Sequence, residues 1–252
     1  MSSKKTKFCV ITTPRSGSTW LATLLDSHPQ IKSFEEPFIW RADRPNWTDK
    51  DFPTYYNFKN NATKKSIFTL FKYLDILNTY QAETDFDTIG FKIMYNQIQE
   101  NPEVMLKLLL DNYRIIHLIR QNYLDVIISR AAKKQHKIAH SSTVQSKTKQ
   151  VTIDTSHLIE DLNRCDRNNK IFRSLLKIIP LKVLEITYES MQQDYNQVLR
   201  SVADFLDVSS DSITFRSDLK RINKGEYADK IANYDRVLET LSGSNYMKFL
   251  KS

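Results

Sequence analysis

The chain has 252 residues, 40% of them hydrophobic, which suits one α/β domain, or at most two small ones, around a sizeable core. Its formal net charge of +8 favours anionic partners: nucleic acid, an anionic membrane or a phosphorylated small molecule. No run approaches the ~20 apolar residues of a membrane helix, and the two cysteines, Cys9 and Cys165, make no disulfide framework.

Residues 1–7 are polar and basic, and the apolar stretch behind them is too short for a signal peptide, so a reducing, cytoplasmic setting is expected. Residues 8–11 are continuously apolar, as in a buried parallel strand, with Cys9 in the core. A polar loop, 12–19, leads into a helix from about Trp20 that ends near His28-Pro29. Residues 31–34 form a second expected strand, ending at Glu35-Glu36-Pro37. Residues 41–61 lack periodicity and read as loop, 64–80 as an amphipathic helix and 88–94 as a strand. A helix over 102–110 starts with Pro in its first turn, and 113–120 is the clearest strand. The next helix begins at Asn122, a good N-cap, and runs to about Lys137. Residues 140–152, rich in Ser, Thr, Gln and Lys, are expected to be a mobile loop. A long helix over 156–178, a last strand over 182–188, helices over 194–206 and 228–241 and a helical tail complete the pattern. Strands alternating with helices predict an α/β fold: one domain over 1–252, with a central parallel sheet flanked by helices.

The loop between the first strand and helix carries the chemistry. A helix N-terminus and several backbone N–H groups meet there, which makes an anion site. Ser16, Ser18 and Thr19 add hydroxyls, Gly17 allows close backbone approach, and Arg15 adds a two-donor positive charge. A Walker A loop would place Lys where Ser18 stands and would begin with another Gly, so the site suits phosphate better than a nucleoside triphosphate with magnesium. The plainer reading is a polar turn before a helix.

The run Pro14-Arg15-Ser16-Gly17-Ser18-Thr19-Trp20 resembles the 5′-phosphosulfate loop of sulfotransferases that use 3′-phosphoadenosine 5′-phosphosulfate (PAPS), with Arg15 as in many carbohydrate members. Residues 116–120, followed by Asp125 and Ser129, resemble the family's 3′-phosphate site, in a spacing similar to the bacterial nodulation-factor branch. Glu36-Pro37, Thr187-Tyr188-Glu189, Asn233-Tyr234 and the tail 246–250 resemble further family segments, so the likeness spans nearly the whole chain. It implies a P-loop-like α/β fold and transfer of a sulfuryl group from PAPS to a hydroxyl on a small acceptor, with 3′-phosphoadenosine 5′-phosphate (PAP) as product.

The resemblance implies roles. Arg15, Ser16, Gly17, Ser18 and Thr19 would hold the 5′-phosphosulfate, and Arg120 and Ser129 the 3′-phosphate. Trp20 and Tyr188 would lie near the adenine, and the basic run Lys220, Arg221 and Lys224 would close over the 3′-phosphate. Arg15 would also stabilise charge in the transfer itself. The acceptor must lose a proton, so a general base is expected. Glu36 is the first choice, Glu35 the second, since alternation points only one into a cleft, and His140 a third. His117 reads as a core histidine. Lys92 resembles a recurrent bacterial motif, or is a strand-end lysine in solvent. Metal is not expected. Segments 38–58 and 140–152 would line the acceptor cleft, where aromatics beside carboxylates suit a carbohydrate or polar natural product. Two rivals stay open: a P-loop nucleotide phosphotransferase, which lacks its lysine here, and a basic nucleic-acid-binding protein, for which no recognition motif appears.

Overall fold

The computed structural model describes residues 5–39, 54–60, 67–136, 150–209, 215–218 and 225–251. Arg221, its neighbours Lys220 and Lys224, His140 and most of the expected acceptor segments lie outside these residues.

Among the described residues, five parallel strands form one sheet in the order β2-β3-β1-β4-β5. They are β1 (Thr6–Thr12), β2 (Ile31–Phe34), β3 (Thr88–Met94), β4 (Arg114–Ile119) and β5 (Val183–Thr187). The helices are α1 (Ser18–Asp26), α2 (Tyr55–Asn60), α3 (Ile67–Glu83), α4 (Tyr95–Glu100), α5 (Glu103–Leu110), α6 (Tyr123–His136), α7 (Leu158–Ile178), α8 (Tyr188–Phe205), α9 (Tyr227–Lys230) and α10 (Tyr234–Leu241), with a 3₁₀ turn at Met247–Leu250. No described helix is long and apolar enough to cross a membrane.

The chain divides into two compact units, 1–119 with 174–217, and 120–173 with 218–252. The first holds the sheet. Parallel strands need cover on both faces, and β1 and β3 are buried along nearly their whole length for that reason. Phe8 and Val10 of β1, Ile116 and Leu118 of β4 and Ile186 of β5 share one face with Leu21, Leu24 and Leu25 of α1 and Leu199 and Val202 of α8. Gly90 in β3 lies opposite Phe8, and a Cβ there would stand 2.3 Å from the Phe8 carbonyl oxygen, so the strand admits only hydrogen at that point. The second unit packs Leu124 and Ile128 of α6 and Leu158 and Leu162 of α7 against Ile231, Val237, Leu241 and Phe249.

Three segments depart from the sequence expectation. Residues 55–60, expected as loop, form α2, whose first turn is capped where Asn57 N–H donates to Thr54 Oγ1 at 3.3 Å. The expected helix over 228–241 is broken at Ile231, which is extended (φ −112°, ψ 114°) and pairs with Val151. Val151 N–H donates to Lys230 O at 2.8 Å and Ala232 N–H to Val151 O at 2.9 Å, so strand-type bonds outweigh the modest helical preference of a β-branched residue there. The helix expected from Asp194 instead begins at Tyr188, capped by Thr187, with Asp194 at a kink where its carboxylate accepts from Gln197 N–H at 3.0 Å.

Candidate functional site

After β1 the chain crosses toward β2, and after β4 toward β5, on the other side of the sheet. The adjoining C-terminal ends of β1 and β4 are thus a topological switch point, where open α/β sheets bind ligands. The loop 13–17 emerges there. Its root is fixed: Thr12 Oγ1 donates to Leu118 O of β4 at 2.6 Å. A hydroxyl has one proton, so in the 2.6 Å contact between Thr12 and Ser16 the donor is Ser16. The fully buried Ser16 side chain therefore points its hydroxyl inward, and what it offers a ligand is backbone.

Arg15 (φ 72°) and Gly17 (φ 90°) are both left-handed, bracketing Ser16 in a tight turn. At Gly17 space is as restrictive as torsion, since a Cβ would stand 2.4 Å from the Tyr188 ring. Gly17 is also the N-cap of α1, which has neither a side-chain cap nor an acidic residue in its first turn. The first N–H groups of a helix have no partner within it, so this end carries uncancelled positive potential toward the loop. The expected adenine neighbours pack on each other: Trp20 stands 6.1 Å from Tyr188 and 6.0 Å from Tyr195, centroid to centroid.

Beneath the first turn of α1 lies Lys92, 1% exposed. It is not the solvent lysine that one sequence reading allowed. Its Nζ donates to Thr19 Oγ1 at 2.8 Å and pairs with the Glu35 carboxylate. The two adjacent acids have different partners: Glu36 Oε1 accepts from Gln97 Nε2 at 2.6 Å. Gln97 is itself placed by Met94 N–H, which donates to its Oε1 at 2.9 Å. His117 is a core histidine as expected, with Nε2 2.5 Å from Tyr95 OH and Nδ1 3.0 Å from Glu185.

In the second unit Arg120, the residue after β4, donates to Asp125 Oδ2 at 2.7 Å. Asp125 Oδ1 accepts from Tyr227 OH at 3.1 Å, and that hydroxyl accepts from Asn122 Nδ2 at 2.9 Å. Asn122 caps α6, its Oδ1 accepting from Asp125 N–H at 3.3 Å, and the half-buried Ser129 lies two turns further along the same helix face. The guanidinium is thus oriented through a carboxylate, a phenol and a cap. Among the described residues no group of three or more His, Cys, Asp or Glu side chains could hold a metal ion.

Sequence reasoning missed Gln97, Tyr227 and the burial of Lys92. The last had a signal, because a lysine inside the otherwise apolar run 89–94 of a central parallel strand has no route to water.

A family model described as "Sulfotransferase family" matches residues 8–212. No curated protein matches the chain. Among solved structures, a sulfotransferase from Alicyclobacillus acidocaldarius is similar at 16% identity over 85% of this chain and 87% of that one, with a TM-score of 0.47. A mouse sulfotransferase complexed with PAP is similar at 13% identity over 98% and 88%, with a TM-score of 0.40. The sulfotransferase domain from the curacin biosynthetic pathway is similar at 17% identity over 98% and 84%, with a TM-score of 0.44. The assignment rests on the family match, whose span takes in the loop after β1 and the whole run from Arg120 to Ser129, and by it the chain belongs to the sulfotransferase family and is a PAPS-dependent sulfotransferase.

Proposed function

We propose that the chain, acting over 1–252 as one sulfotransferase domain in the cytoplasm, moves the sulfuryl group of PAPS to a hydroxyl of a small acceptor, a carbohydrate or a polar natural product. The observation that carries the reading is the uncapped N-terminus of α1 behind a left-handed turn at the β1–β4 switch point. Arg15, the backbone of 16–18 and the Thr19 hydroxyl hold the 5′-phosphosulfate. Arg120 and Ser129 hold the 3′-phosphate, joined by Arg221. Trp20 and Tyr188 present aromatic surface to the adenine.

Glu36 takes the acceptor proton while the acceptor oxygen bonds to sulfur and the bond from sulfur to the 5′-phosphate oxygen breaks. Arg15 and the loop N–H groups receive the charge that develops on the departing phosphate. Gln97 donates to one carboxylate oxygen of Glu36 and so orients the carboxylate.

The donor is tested by thermal unfolding. A ligand bound only by the folded state stabilises it, by about 2.7 kcal/mol at a hundred times its Kd. PAP is expected to raise Tm strongly and ATP, which lacks the 3′-phosphate, much less. Equal stabilisation by both returns the site to the nucleotide phosphotransferase reading. Labelled PAPS offered with a panel of sugars and hydroxylated natural products then identifies the acceptor class by label transfer.

A further inference from the structure

Lys92 stands in the middle of the sheet, opposite Val10 of β1, on the face covered by α1. Placing an ammonium there is costly, and its pairing with Glu35 does not explain it as a stabilising device. Buried ion pairs replaced by apolar residues of similar volume often leave a fold as stable or more so. The Glu35 side chain, moreover, is 27% exposed against 1% for Lys92, so the carboxylate has water available and the ammonium does not.

What the ammonium does is visible at Thr19, in the first turn of α1. A hydroxyl has one proton and two acceptor lone pairs, and an ammonium has only protons. Lys92 Nζ, 2.8 Å from Thr19 Oγ1, must therefore be the donor there. Thr19 keeps its own proton for another acceptor, and the cation polarises the O–H bond that carries it. The hydroxyl is converted from an ambivalent group into a directed donor at the anion-binding end of α1. Glu35 in turn holds Lys92 in place from the end of β2.

We propose that Lys92 is a positioning residue for the sulfuryl donor: held by Glu35, it orients and polarises the Thr19 hydroxyl toward the donor's 5′-phosphate. The inference rests on the reading of the loop after β1 as the 5′-phosphosulfate site. It also makes Glu35 part of donor binding and takes it out of the choice of general base.

The test is a double-mutant cycle read as PAP affinity. Lys92→Met and Thr19→Val should each weaken PAP by about tenfold or more, the worth of a hydrogen bond to a charged group. The double variant should bind no worse than the weaker single one, because both changes remove one directed proton. Adenosine 3′-monophosphate, lacking the 5′-phosphate, should bind the variants as it binds the parent. Losses that simply add, or loss of both ligands alike, overturn the proposal in favour of a structural or long-range charge role. Should Lys92→Met fail to fold, Lys92→Met with Glu35→Gln removes both charges, and wild-type PAP affinity in that folded variant also overturns it. Arg15→Ala separates the two levels. If it loses PAP while Lys92→Met does not, only the Lys92 role falls; if Arg15→Ala binds PAP normally, the loop reading falls with it.

Discussion

Two neighbouring carboxylates, Glu35 and Glu36, have different partners. Glu35 pairs with the buried Lys92 ammonium, and Glu36 accepts from the Gln97 amide. Glu36→Gln keeps shape and removes basicity, so turnover should fall by roughly two to four orders of magnitude, with PAP binding intact and the acidic limb of the pH–rate profile gone. Glu35→Gln should do the reverse, weakening PAP while the acidic limb stays; Glu36→Gln at full activity would exclude Glu36 as the base. The pair itself was legible in the sequence, as two adjacent carboxylates at the end of an expected strand. Their partners were not, because Lys92 is 57 and Gln97 61 residues away and only the register of β2 on β3 brings them together.

At the scale of elements, the sheet face away from α1 is tied by a charged cluster joining β1, α3 and α5. Lys107 donates to Asp75 at 2.6 Å and to Asp111 at 3.0 Å, Asn78 donates to Asp111 at 3.2 Å, and Lys7 pairs with Asp111 at 3.3 Å. Burial works against both charged forms, but the hydrogen bonds and opposite charges win: Asp111 is held below the usual carboxylate range and Lys107 above the usual ammonium range. A depressed carboxylate stabilises the fold above its unfolded pKa of ~3.9 and loses that contribution as pH falls through the lower folded value. A raised ammonium stabilises below its unfolded pKa of ~10.4 and loses that contribution as pH rises through the higher folded one. The cluster therefore acts in full across the neutral range. Asp111→Asn should cost on the order of 1–2 kcal/mol at pH 7 and flatten the acid side of a Tm–pH curve; an unchanged acid limb would show that the cluster carries no linkage. The strands were legible because short segments rich in apolar residues alternate with polar loops and helical patterns. The break at Ile231 was not, since the strand-type partner that overrides its helical pattern, Val151, lies far away in sequence.

For the whole molecule, the net charge of +8 suits a doubly phosphorylated donor and also invites a polyanion. Duplex DNA should bind, if at all, through that charge alone, and the binding should vanish by about 0.2 M salt, with PAP stabilisation persisting. Duplex binding that survives such salt would count against a purely small-molecule role. The Arg120 support was only half legible: Asn122 and Asp125 sit beside it in sequence, whereas Tyr227 reaches Asp125 across 102 positions. The interleaving of the two units also gives synthesis an order. Strands β1 to β4 all precede residue 120, and β5 with α8 follows only after 120–173 have been made. Until then β4 presents an unpaired strand edge, the kind of surface that invites mispairing and recruits chaperones. Over the same interval the turn at Gly17 lacks the ring of Tyr188 that packs on it. A nascent chain halted before residue 183 thus carries the turn after β1 without the Tyr188 ring that packs on it, and the ribosome completes that corner of the fold late.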